Sequence, residues 1–337
     1  MNKIIYMLLI TMCWSCTNQS VTEKYQNKRN NIIQVKDKIK EIIIDDDDVL
    51  IGPIARLSII ENYLIVANPK TIDKLIYIFD KKSFNYLTGT TYKGQGPGEI
   101  ANMGVLAPDE ENRSFYVSDH GKQLIYAYDL DSVLNNPEYM PTIKMKMNKG
   151  LFPDRYQYIN DTLCIGLIIE PIGVSDFTQS VGKWNMNTEE IQLMKYEHPK
   201  IAKKRITFAM SLENNIYVEC YSTYDLMTIC NLNGDLKYNI YGPNWTTTVE
   251  RNPTHYYGKA IFCNNKLFAS YSGGNYHTDE YYPTSFLIFD IYGNYIKTLE
   301  TGYKISDFCY DKDNNRIIMN LNSEMQFAYL DLDGIIE

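Results

Sequence analysis

The stretch Lys312–Gly334, KDNNRIIMNLNSEMQFAYLDLDG, contains the pattern that decides the fold. A turn at Asn315 precedes a β-rich run, and a second apolar run ends at Leu330-Asp331 shortly before the glycine. Asn tolerates the left-handed backbone that tight hairpins require, and a glycine after an alternating run is typical of a hairpin exit. The stretch therefore predicts two antiparallel strands followed by a turn.

The same turn recurs along the chain at a nearly fixed period. Spacings between consecutive turn residues are 50, 49, 54, 50 and 50 residues, and those residues are Asn62, Asn112, Asp161, Asn215, Asn265 and Asn315. A second series of strands ends in Asp or Asn, at Asp80, Asp129, Asn185, Asn231, Asp290 and Asp331. Each unit of about fifty residues then holds about four strands in a meander, which is the blade of a propeller.

These repeats predict an all-β fold, a six-bladed β-propeller with four-stranded antiparallel blades. Only three residues follow Gly334, so the last unit lacks its outermost strand, while the run 39–44 precedes the first unit without a partner. We expect this N-terminal strand to complete the last blade. Closing the ring in this way removes an open sheet edge that would invite aggregation.

Composition limits the classes of partner. The chain has 337 residues, 45% hydrophobic content and a formal net charge of −8, with its basic residues dispersed. Nucleic acid is therefore not expected as a partner, because that would require a basic patch or stripe. Tyrosine is abundant, at 29 residues, and favours half-buried strands.

The first sixteen residues have the layout of an export signal. Lys3 precedes an apolar run that is too short to span a bilayer, and Ser15 then precedes Cys16. We expect a signal peptide at 1–15 and lipidation of Cys16; the alternative is an ordinary cleaved signal with Cys16 incidental. The polar segment 16–38 is predicted to be a lipidated N-terminus and flexible tether, and 39–337 the propeller.

The segment Gly94-Gln95-Gly96-Pro97-Gly98-Glu99, together with the six units and the export signal, resembles the TolB-like six-bladed propeller lipoproteins of diderm bacteria. Similar segments occur in NHL-repeat propellers. The resemblance covers 42–337 at the level of the repeat. It implies a lipid anchor in the outer membrane and a place in the cell envelope, but no general reaction. Residues 17–20 show no acidic cluster of the kind that can accompany surface export, which favours the periplasmic side.

The glycine-rich segment has two interpretations. Its three glycines and Pro97 form a rigid turn whose exposed N–H groups could hold an anion. They could equally accept Glu99 as an internal cap, because such turns usually serve backbone shape.

Catalytic and metal-binding patterns are weak, and we expect no catalytic residue, no metal and no cofactor. The chain has no nucleophile elbow, zinc-protease motif or P-loop, and the histidines fall in different units, at His120, His198, His255 and His277. His277 with Asp279 and Glu280 offers metal-compatible ligands, and 45–48 is a run of four aspartates that could hold calcium. Acidic residues in loops are more often simply solvated.

The predicted inner strands carry a cationic pattern: Arg56, Arg155, Arg205 and Lys259 lie in them, and only Asp307 offers a carboxylate. This pattern disfavours a channel metal of the kind that lactonase-like propeller hydrolases or lyases use. A binding or scaffolding module for a peptide, a glycan or a partner protein is therefore favoured, and the metal-dependent enzyme is the alternative.

The third and fifth units are longer than the others between their second and third strands. We expect loops at 167–180 and 272–284 to rise over the channel on the face that carries Gly94 to Glu99, and lengthened loops on a rigid scaffold often bind ligands. Aromatic residues beside arginine are typical of binding hot spots. The alternative is that these tyrosines simply cover the rim. The predicted ligand-binding residues are Arg56, Glu99, Arg155, Arg205, Trp245, Arg251, His255, Tyr256, Tyr257, His277, Tyr281 and Tyr282.

Overall fold

A computed structural model of the protein describes residues 21–336, apart from positions 45, 47, 48, 137, 161, 174 and 175. The signal peptide, Cys16 and most of the 45–48 aspartate run therefore lie outside the described residues. Within the described part, no helix is longer than six residues, and none of them could span a membrane.

The chain forms six sheets arranged as a ring, each built on four antiparallel strands, which confirms the predicted propeller. Three short strands come first: β1 (Glu23–Tyr25), β2 (Ile32–Gln34) and β3 (Lys40–Glu41). Blade 1 contains β4 (Arg56–Ile60), β5 (Tyr63–Ala67), β6 (Lys74–Asp80) and β7 (Tyr86–Tyr92). Blade 2 contains β8 (Met103–Asp109), β9 (Ser114–Asp119), β10 (Leu124–Asp129), the helix α1 (Leu130–Asn135) and β11 (Thr142–Lys146).

Blade 3 contains β12 (Phe152–Tyr158), β13 (Leu163–Pro171), β14 (Phe177–Asn185) and β15 (Ile191–Leu193). Blade 4 contains β16 (Ile206–Ser211), β17 (Ile216–Tyr221), β18 (Leu226–Asn231) and β19 (Leu236–Tyr241). Blade 5 contains β20 (Thr254–Cys263), β21 (Lys266–Asn275), β22 (Ser285–Asp290) and β23 (Tyr295–Glu300). Blade 6 contains β24 (Ile305–Asp311), β25 (Arg316–Leu321) and β26 (Phe327–Asp331). Short 3-10 turns lie at Lys36–Lys38 and Asp279–Tyr281.

The ring closes as the sequence predicts. β3 pairs antiparallel with β26, with Lys40 opposite Tyr329 and Glu41 opposite Ala328, so the N-terminal segment supplies the fourth strand of blade 6. The first strand of each blade lies innermost, and β24 packs beside β4. The connections between blades and those between second and third strands share one face of the ring, here called the loop face. The remaining turns define the hairpin face.

The core is divided among the spaces between blades. Six apolar clusters are present in the described residues, and each joins two adjacent blades. The Tyr116 ring of blade 2 packs on Tyr158 of blade 3, for example, and Phe286 of blade 5 packs on Phe308 of blade 6. Five cysteines, Cys164, Cys220, Cys230, Cys263 and Cys309, are buried and unpaired. Because both faces of every sheet are covered in this way, each blade depends on its neighbours for stability.

The described part of the segment 16–38, which the sequence predicts to be a flexible tether, is instead paired with the outer strands of two blades. β1 pairs in parallel with β19 of blade 4, and β2 pairs in parallel with β23 of blade 5, so each adds a fifth strand at an outer edge. Residues 22–41, here called the strap, therefore run along three consecutive blades. The folded domain begins well before residue 39, because hydrogen bonds to exposed strand edges can order even a polar segment.

Candidate functional site

A cavity of about 650 Å³ occupies the centre of the ring. Its walls are the inner strands of the six blades, and its lining is polar and charged near the starts of those strands. The inner strands run from the loop face towards the hairpin face, so these charges lie near the loop face. Apolar residues such as Phe208, Met210 and Phe262 line other parts of the wall.

β-Bulges bring the charged residues to the channel wall. The register of β12 shifts between Pro153 and Tyr156, and both Asp154 and Arg155 line the cavity. Shifts also occur in β20 before Ala260 and in β24 between Ile305 and Asp307. A bulge re-aims side chains that strict alternation would send to opposite faces of a sheet. Irregular strand starts therefore concentrate polar groups at one end of the channel.

Seven of the twelve predicted ligand-binding residues line this cavity. They are Arg56, Arg155, Arg205, His255, Tyr257, Tyr281 and Tyr282. Among the described residues, the other five do not line the cavity: they are Glu99, Trp245, Arg251, Tyr256 and His277. Sequence reasoning did not select Asp154, Gln157 or Gln179, which also line the cavity.

The aromatic residues of blade 5 form a cluster at the loop face. Tyr281 lies between Tyr276 and Tyr282, with ring centroids 5.9 and 4.5 Å away, and His255 is 5.2 Å from it. His255 Nδ1 donates a hydrogen bond of 2.6 Å to the carbonyl oxygen of Tyr281. Burial lowers the pKa of His255, so the ring stays neutral and positions this segment. Lys304 adds an ion pair of 2.9 Å to Asp279.

The lengthened segment of blade 3 is largely a continuation of strands rather than a loop. β13 and β14 remain paired as far as Pro171 and Phe177. Beyond them Asp176 accepts a hydrogen bond of 3.1 Å from Arg205, whose guanidinium lies 3.9 Å from the ring centroid of Phe177. Asp176 also pairs with Lys203, so this hairpin tip offers one of the predicted ligand-binding arginines a carboxylate that two cations share.

The Gly94 to Glu99 segment is held by its own residues and by blade 2. Glu99 accepts a hydrogen bond of 2.7 Å from the Gly96 N–H, and Lys122 donates to the carbonyl oxygens of Gly96 and Glu99. A Cβ at Gly94 would lie 2.0 Å from the Glu99 carboxylate, and Gly98 has a φ of +72°. These contacts match the internal-cap interpretation, and Pro97 completes the turn.

Trp245 and Tyr256 have structural contacts in blade 4 and beside it. The Trp245 ring packs near Tyr224, Tyr241 and His198, and the Tyr256 hydroxyl donates to the carbonyl of Asn244. Arg251 and His277 are exposed.

No group of three potential metal ligands from His, Cys, Asp and Glu occurs among the described residues. Asp307 of the channel already accepts the Leu57 N–H and pairs with Lys259 at 3.0 Å. Asp279, the acidic neighbour of His277, pairs with Lys304. Both carboxylates therefore have protein partners.

The fold defines the protein as a six-bladed β-propeller. Residues 22–164 match the model of the DUF5128 family, described as a 6-bladed beta-propeller, and this match begins at the strap. No curated protein matches the chain.

Solved structures share the fold at low identity. A member of the DUF4221 family from Bacteroides vulgatus is 12% identical, with a TM-score of 0.58 over 88% of this chain and 98% of that one. A Bacteroides fragilis protein assigned as exported is 10% identical, with a TM-score of 0.52 over 88% and 87%. A luciferin-regenerating enzyme is 7% identical, with a TM-score of 0.55 over 86% and 94%.

Proposed function

We propose that this protein is an exported, membrane-anchored binding propeller that takes its ligand at the loop-face end of the channel. The observation that carries the proposal is the combination of a cavity of about 650 Å³ with cationic side chains in its wall and an aromatic cluster at its mouth. Ligand pockets typically have this size and combine ring faces with a few placed polar groups. A glycan, a peptide or a segment of a partner protein fits this description.

The metal-dependent hydrolase or lyase is less well supported. Such chemistry requires several carboxylate or amide ligands directed at one point. The described lining offers the carboxylates Asp154 and Asp307, and the second is already paired with Lys259. The cationic neighbours favour an anionic ligand over a divalent cation.

The binding proposal predicts that removing rings at the mouth weakens capture of any channel ligand. Wild type and Tyr281→Ala with Tyr282→Ala are compared on panels of oligosaccharides and peptides. Loss of about ten- to a hundredfold in affinity is expected for the two rings together, since each aromatic contact contributes about 0.7–1.4 kcal/mol. The control is Tyr292→Ala, an exposed tyrosine in a hairpin-face turn of the same blade. Equal binding by all three proteins, or no binding to either panel, would contradict the proposal.

Anchoring rests on the signal pattern and on the resemblance to TolB-like lipoproteins. An acyl chain on Cys16 contributes about 0.8 kcal/mol per buried methylene, so the wild type should partition into membrane and detergent. Cys16→Ser should become soluble in the envelope, while Cys13→Ser, within the predicted signal peptide, should behave as wild type. Equal membrane association of Cys16→Ser and wild type would show that Cys16 is not the anchor.

Periplasmic placement in the outer membrane predicts protection from protease in intact cells.

A further inference from the structure

The four cations of the channel divide into two pairs with different surroundings. Arg205 is bonded to Asp176 and stacked on Phe177, and Lys259 is bonded to Asp307. Each of these two charges has an anionic partner from the protein itself. Lys259 is therefore compensated by Asp307, whereas Arg205 shares the Asp176 carboxylate with Lys203.

Arg56 and Arg155 lack such partners. Arg56 donates from Nη1 to the neutral carbonyl of Gly104 at 2.8 Å, and Arg155 is exposed to the cavity. Within the described residues, neither guanidinium forms an ion pair. Both line the same cavity, from blades 1 and 3. Burial, and next the positive charge of Arg155, lower the pKa of Arg56. Two guanidinium groups that repel one another in a partly desolvated cavity are stabilised by an anion between them.

The carboxylates near this pair leave room for that anion. Asp154 lines the cavity beside Arg155 and Asp307 lies across it, and both moderate the repulsion. Asp154 makes no hydrogen bond to either guanidinium among the described residues, and Asp307 is bonded to Lys259. The described wall holds four cationic and two anionic side chains, and the positive side chains still outnumber the negative ones when Asp176 and Lys203, which pair beside Arg205, are included. A ligand carboxylate would correct that excess.

The remaining lining suits a saccharide. Hydroxyl and amide groups from Ser58, Gln157, Thr207 and Ser306 surround the cavity, and the buried Ser306 Oγ has no hydrogen-bond partner. These groups, with Asp154 as an acceptor, match the donor and acceptor pattern of sugar hydroxyls. Tyr281 and Tyr282 also line this cavity and supply aromatic surface. The volume is that of a small-ligand site, which favours a short saccharide over a folded partner.

We infer that Arg56 and Arg155 form an anion subsite that holds the carboxylate of an acidic saccharide, with its sugar ring against Tyr281 and Tyr282. The inference rests on the proposed function and specifies its ligand class. Arg155, which is exposed to the cavity, contacts the ligand carboxylate from one side, and Arg56, which is more buried, contacts it from the other. Asp154 accepts hydrogen bonds from the hydroxyl groups of the sugar and so orients the ligand.

The test uses short uronate oligosaccharides, each beside its neutral hexose counterpart of the same linkage, and a set of acidic peptides. Wild type should bind at least one uronate about ten- to a hundredfold more tightly than its neutral counterpart, as expected for hydrogen bonds to charged groups. Arg155→Gln should reduce uronate binding to the neutral level, and Arg155→Lys should retain part of the preference. Lys82→Gln, which removes an exposed positive charge in a hairpin-face turn of blade 1, should bind as wild type does.

Three outcomes would overturn the inference. A uronate preference that survives Arg155→Gln would place the anion elsewhere. Equal binding of neutral and acidic sugars, abolished by Tyr281→Ala with Tyr282→Ala, would remove the anion subsite and leave the proposed function standing. Binding confined to acidic peptides would refute the saccharide class. Absence of binding to every probe would contradict the inference and the proposed function together.

Discussion

Two buried histidines and one half-buried histidine illustrate how single residues set the conditions under which this fold is stable. Burial lowers the pKa of His120, His198 and His255 below the ordinary value. The surroundings of His198 explain why its ring remains neutral: Nδ1 accepts the Lys200 N–H at 3.2 Å, and Nε2 lies 3.1 Å from the Tyr241 hydroxyl. A proton added at Nδ1 would break the first of these contacts.

Acidification should therefore destabilise the protein. An unfolded histidine takes up a proton near pH 6.5, whereas the folded ring resists it, so the stability from these residues is present above that pH and is lost as the pH falls. The loss is at most about 1.4 kcal/mol per pH unit and per histidine. Denaturant unfolding between pH 7.5 and 5.5 should show this slope, and His198→Gln should reduce it. His277→Gln, at an exposed position, is the matched control; equal slopes for the two variants would contradict the explanation.

At the scale of strands and turns, the features that could be predicted are those with a local chemical cause. All six third strands end at the Asp or Asn that the sequence singles out. Asp80 and Asp290 show why: each carboxylate accepts backbone N–H groups of the turn that follows, from Ser83 in one case and from Tyr292 and Asn294 in the other. Such capping depends only on residues that are close in sequence, so the same Asp or Asn recurs at the corresponding position of each unit.

The first series of turns is correct to within one residue. Asn215 and Asn315 adopt the left-handed backbone as predicted, but Glu61, Arg113 and Asn264 take that conformation beside Asn62, Asn112 and Asn265. The hairpin requires one residue with positive φ, and either of two neighbours can supply it. Asp161 lies outside the described residues.

The site was less predictable because it depends on irregular strands. Alternation would send Asp154 and Arg155 to opposite faces of a sheet, and only the bulge in β12 allows both to line the channel. The Asp176 partner of Arg205 comes from a different blade. A single sequence contains no signal for a contact between distant residues, so the sequence predicted the cation Arg205 without its partner Asp176.

At the scale of the whole molecule, the strap connects elements that the repeat leaves separate. Arg29, between β1 and β2, donates to Asp225 of blade 4 at 2.8 Å and to the Tyr257 hydroxyl of blade 5 at 2.8 Å. The two charged side chains are 7% and 0% exposed. A polar segment normally indicates a solvated spacer. Parallel addition to an outer strand needs no tight turn, which explains why the sequence predicted a tether there.

Truncation of the strap should therefore destabilise the ring in two steps. Relative to a chain beginning at residue 22, one beginning at 32 lacks β1 and Arg29 and leaves Asp225 buried without its counter-charge. The expected loss is about 3–5 kcal/mol, the usual effect of breaking a buried pair. A chain beginning at 45 also lacks β2 and β3, and loss of β3 exposes the edge of β26, which should cause aggregation or loss of cooperative unfolding.

Point variants of the chain beginning at residue 22 separate the ion pair from the strand that carries it. Arg29→Met should reproduce most of the first loss in denaturant unfolding, because β1 stays in place while Asp225 becomes an unpaired buried charge. Lys40→Met is the matched control, since its partner Asp331 is exposed and the pair is screened by water. If Arg29→Met and Lys40→Met unfold identically, the stability that the strap contributes comes from its strand hydrogen bonds and not from the ion pair. If the chain beginning at 32 is as stable as the chain beginning at 22, the strap does not stabilise the ring.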